Sequence, residues 1–73
     1  MVLPVSEEDC WAQAQALGVQ RFRSSLQQFR DPAQAIQVAV GTARQHMLRA
    51  GHQPGAFAEQ MHSFDAALRA GNA

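Results

Sequence analysis

The sequence has no lysine, no tyrosine, one cysteine, one tryptophan and no excess of charge. Its six acidic residues balance six basic ones, all arginine, so the formal net charge is zero. Each shortage excludes something. A domain that binds nucleic acid mainly by electrostatics usually carries a basic excess that releases counterions from phosphate, and none is present. The same balance argues against a polybasic peptide lying on a membrane surface. No apolar run approaches the roughly 20 residues needed to span a bilayer, so no membrane partner is expected. The lone Cys10 can form neither an internal disulfide nor a cysteine-cluster zinc site, and reads as a small buried side chain. The first ten residues lack the charged and long apolar regions of a signal peptide, so the cytoplasm is the expected compartment.

What is present favours helix. Alanine (14) and glutamine (10) together make about a third of the 73 residues, and no segment alternates with period two. At 47% apolar composition the chain reads as one folded domain, 1–73, without repeats or linkers. Much of that apolar fraction is alanine, which buries little area. So short a chain without disulfides therefore points to oligomerisation as a further source of stability.

Punctuation divides the chain into three helical segments, about 6–30, 31–50 and 53–70. Ser6 suits an N-cap, and Glu7, Glu8 and Asp9 suit a first turn, where the helix dipole favours anions. Trp11, Ala14, Gly18, Phe22, Ser25 and Leu26, and Phe29 then recur at close to 3.6 residues, one face of a continuous helix through about Arg30. Gly18 is either a close-packing position within that helix or a C′ residue that ends one helix and starts another. The unbroken phase of the stripe favours continuity. Asp31-Pro32 marks a helix start, with Asp31 as N-cap, Pro32 at the first helical position and Gln34 completing a capping box. The second seam is Ile36, Val40, Ala43 and Met47, widened by Ala39 and Ala50, with Gly51 as C′ residue. Pro54 suits the start of the third helix, whose seam is Phe57, Met61, Phe64 and Leu68; Gly71 marks its end.

The expected product is all-α: a small up-down-up three-helix bundle, dimeric, or four short helices if Gly18 breaks the first. Acids gather at helix starts and Arg23, Arg30, Arg44, Arg49 and Arg69 lie towards helix ends, which the helix dipole accounts for.

Residues able to carry chemistry are sparse. No serine sits in a nucleophile elbow and no glycine-rich phosphate loop occurs. His62 and Asp65, three apart on one helix, are spaced to hydrogen-bond, a pairing that is usually structural. No enzyme activity and no cofactor are expected. His46-Met47 and Met61-His62 mirror one another about Pro54, and thioether with imidazole suits Cu(I). Adjacent helical residues point about 100° apart, however, so His and Met of one pair cannot easily share a metal. Glu59-x-x-His62 lacks the second copy that a di-iron bundle needs. No metal site is expected, and both methionines read as core.

Two non-catalytic readings remain. The segment Ala14-Gln15-Ala16-Leu17-Gly18-Val19-Gln20-Arg21 resembles the middle of a helix-turn-helix motif: alanine in the first helix, glycine four residues on, apolar residues on each side. The resemblance covers about twenty residues and fades in its second half, where Ser24 and Gln27 replace buried apolar positions. It implies a compact DNA-binding regulator using Arg21 and Arg23, and it requires a turn at Gly18. The preferred reading is a small protein-interaction module: an adaptor, inhibitor or regulator, forming a homodimer or binding a protein partner. Its first helix carries more bulky apolar residues than one stripe can bury, and Trp11, Leu17, Phe22, Leu26 and Phe29 would form the contact face. Val38 and Leu48 likewise fall outside the main seam of the second helix.

Overall fold

In the computed structural model, residues 7–71 are described, with side chains from Glu8 onward. The expected Ser6 cap, and the side chain of Glu7, lie outside the described residues. Among these residues the chain is all-helical, and its three helices pack together. Helix α1 spans Glu7–Phe29 and α2 spans Pro32–Arg49. A 3-10 turn, Pro54–Phe57, then leads into α3, Ala58–Arg69.

Helix α1 runs unbroken through Gly18. A Cβ at Gly18 would stand 2.9 Å from the Ala39 carbonyl oxygen of α2 and 2.8 Å from Cζ of Phe64 of α3. All three helices therefore converge on this residue, and the glycine serves close packing. The break needed for four short helices, and the turn needed by the helix-turn-helix resemblance, are not formed.

The connection between α1 and α2 is two residues long. Arg30 takes φ +54°, in the left-handed region, and its amide donates to the Leu26 carbonyl at 2.9 Å. The helix thus ends at Phe29, the last residue of its apolar stripe, one short of the expected Arg30. Asp31 follows in an extended conformation, and its Oδ1 accepts from the amides of Ala33 (3.1 Å) and Gln34 (3.3 Å), with Pro32 in the first turn. This satisfies two of the orphan amides that every helix start presents. Helix α2 ends at Arg49, and Gly51 takes φ +93° beyond the Ala50 cap, the position where glycine is favoured. Gly71, with φ +78°, does the same after α3.

The third segment starts differently from expectation. Pro54 opens a single 3-10 turn, and α-helical geometry begins only at Ala58. Proline has no amide to offer, and the Ala56 amide instead donates to the Gln53 carbonyl at 2.9 Å.

The core comprises Cys10 and Ala14 of α1, Ile36, Ala39, Ala43 and Met47 of α2, and Phe57, Phe64 and Leu68. Small buried residues, Ala14 and Gly18 of α1 and Ala39 and Ala43 of α2, let the two helices approach closely, while the bulk comes from Phe57 and Met47, the largest fully enclosed side chains. Trp11, Val19, Phe22, Val40 and Met61 pack against this core while remaining partly exposed. Three seam residues depart from the sequence pattern: Val40 and Met61 sit half-buried at the edge, and Ala50 is exposed at the cap. Ala35 instead completes the α2 stripe as a fully buried residue.

The charge pattern is only partly explained by helix dipoles. Arg49 occupies the last turn of α2, and Arg69 that of α3. The last turn of α1 carries no base. Arg21 and Arg23 lie well inside α1, beyond the reach of an effect confined to the final turn.

Candidate interaction surface

The five side chains expected to form one contact face are divided by the fold. Trp11 is half-buried, and its ring meets Phe64 edge to face, with centroids 5.9 Å apart and planes at 89°. That geometry places the positive edge of one ring against the negative face of the other. Trp11 therefore helps fasten α3 to α1. Phe22 is also half-buried against the core, and Leu26 is half-buried. Phe29, at the end of α1, is 54% exposed.

Phe22, Leu26 and Phe29 follow one another at four- and three-residue steps and so share one side of α1. Leu17 does not join them. Five residues before Phe22, it lies roughly 140° away around the helix. It is 41% exposed and borders a groove shared with α2.

The reason that this stretch of α1 stays open is length. At about 1.5 Å per residue, the 23 residues of α1 extend roughly 35 Å, against roughly 18 Å for the 12 residues of α3. Since Phe64 already meets Gly18 and Trp11, α3 is too short to cover α1 from end to end.

The groove bordered by Leu17 runs between α1 and α2 and has a volume of about 490 Å³. Val38 (36% exposed) flanks it, Gly41 opens its floor, and Arg21, His46 and Arg49 stand along it. The sequence marked Val38 and Leu48 as off the seam, and both are exposed. It gave no sign of Gly41, because the role of a helical glycine depends on what lies opposite it.

The remaining candidates are scattered. Met47 is enclosed in the core and Met61 is half-buried, whereas His46 borders the groove and His62 is exposed. Among the described residues, no group of three or more histidine, cysteine or acidic side chains is placed to hold a metal ion. Asp65 does not pair with His62 but accepts from the Arg69 Nε at 2.7 Å, an exposed i,i+4 ion pair of small energetic value. Cys10 is a free, buried thiol. Ser24 and Ser63 are exposed. Ser25 is buried, and its hydroxyl oxygen has no hydrogen-bond partner among the described residues. Arg21 and Arg23, the residues of the DNA-contact alternative, are both exposed on α1. Among the described residues, no helix is long and apolar enough to cross a membrane.

The chain matches no family model, no curated protein and no solved structure. Fold and surface together define a small all-helical protein with a thin core and exposed apolar side chains on two of its helices.

Proposed function

We propose that this chain is a non-enzymatic protein-interaction module, an adaptor, inhibitor or regulator, acting through the apolar side of its N-terminal helix as a cytoplasmic homodimer. The observation that carries the reading is Phe29. A phenyl ring more than half exposed at a helix end, in line with half-buried Leu26 and Phe22, leaves apolar surface that a second molecule would cover. Two short connections favour an up-down-up order of the helices. The mechanism is helix against helix, with hydrophobic burial as the driving force.

Sedimentation equilibrium tests it. Phe29 is the residue to change, because Phe22 and Trp11 also support the core. The expected result is a dimer that Phe29→Glu dissociates while helix content is unchanged. A wild-type protein that remains monomeric up to about 1 mM, weaker than any useful association, overturns the homodimer.

A further inference from the structure

We propose a second docking site: the groove between α1 and α2 receives an acidic amphipathic helix from a partner protein. Three independent features meet there. Leu17 and Val38, two of the most exposed large apolar side chains, border the same groove. Gly41 lies in the interior of α2, where glycine costs helix stability, yet a Cβ there would meet nothing within 4 Å. Among the described residues, no packing calls for a glycine at that position. A backbone arriving from outside does, because the missing side chain lets it approach closely.

The third feature is charge. The groove is bordered by Arg21, Arg49 and His46 and by no carboxylate. Arg49 belongs to the last turn of α2, where the dipole favours cations. Arg21 has no such reason, and among the described residues neither arginine makes an ion pair. Apolar borders with arginines along the rim complement a helix that presents a leucine stripe flanked by glutamates. The site lies on a different side of α1 from Phe22, Leu26 and Phe29, so it is independent of the proposed homodimer.

The probe is a designed peptide of about 18 residues, blocked at both ends, with leucines at i, i+3, i+4 and i+7 and flanking glutamates. A second peptide carries glutamine for every glutamate. Each is titrated into the ¹⁵N-labelled full chain while amide shifts are followed. The acidic peptide is expected to move the amides of Leu17, Arg21, Val38, Gly41 and Arg49. It should bind at least about tenfold more tightly than the glutamine peptide at low salt, with the gap closing near 0.5 M salt. The paired change Arg21→Gln and Arg49→Gln, both exposed, should erase the preference. Gly41→Leu should block both peptides without loss of helix. Absence of shifts up to about 1 mM, equal affinity for the two peptides, or shifts confined to residues 22–29 overturns the proposal. A self-dimer that occupies the groove also overturns it.

Discussion

The ring of Phe64 lies over Gly18 so closely that a Cβ on the glycine would stand 2.8 Å from Cζ and 2.9 Å from Cε2. The Ala39 carbonyl oxygen of α2 would be 2.9 Å from the same Cβ. Gly18→Ala brings a gain of about 1 kcal/mol in helix propensity against an overpacking penalty of about 1–3 kcal/mol. The penalty should win. Phe64 is held by its edge contact with Trp11, and the carbonyl belongs to the α2 backbone, so neither yields cheaply. Thermal unfolding should show a net loss of up to about 2 kcal/mol, several degrees in Tm for a chain of this size. Gly41→Ala gives the opposite sign, a gain of about 0.5–1 kcal/mol, because its Cβ enters open space. Two helical glycines responding alike would refute this account of Gly18.

Gly18 also shows how far the sequence is legible. Its phase in the apolar stripe indicated a continuous helix, and the Asp31-Pro32 and Gly51 signals located the ends of α2, because capping is local chemistry. The interaction face was legible only in part. Periodicity places Trp11, Phe22 and Phe29 on one side of α1, but which of them the core consumes depends on the length of α3 and on the seating of Phe64. Those are tertiary facts. Leu17 was grouped with them by bulk alone, and helical geometry puts it on a different side. The 3-10 turn at Pro54–Phe57 was missed for a related reason: proline suits the first position of either helix type.

Ser25 offers a second measurable prediction. It is 6% exposed, and its hydroxyl oxygen has no partner among the described residues. A buried hydroxyl that forgoes its bonds to water without replacing them costs about 1–3 kcal/mol. Removing the group removes that cost, and alanine is also the better helix former. Ser25→Ala should therefore stabilise the protein by about 1–2 kcal/mol in urea unfolding, with m unchanged. Ser24→Ala, at the exposed neighbour, should change stability by no more than about 0.5 kcal/mol. A destabilised Ser25→Ala would mean that the hydroxyl has a partner in solution.

Arg30 carries the third prediction. It is the one non-glycine residue with positive φ among those described, at +54°, and it is exposed. A side chain in the left-handed region crowds its own backbone at a cost of about 1–2 kcal/mol, which glycine escapes and asparagine partly escapes. The residue must turn this way because only Arg30 and Asp31 separate α1 from α2, and Asp31 is committed to capping. Stability should therefore rank Gly above Asn above Arg above Ile at position 30. Arg30→Gly should gain about 0.5–1 kcal/mol, and Arg30→Ile should lose a similar amount, since β-branched side chains tolerate positive φ least. Denaturant midpoints for the four proteins supply the test. If Arg30→Gly is less stable than the parent, the connection does not adopt the left-handed turn, and the close α1–α2 pairing it permits must be closed in another way.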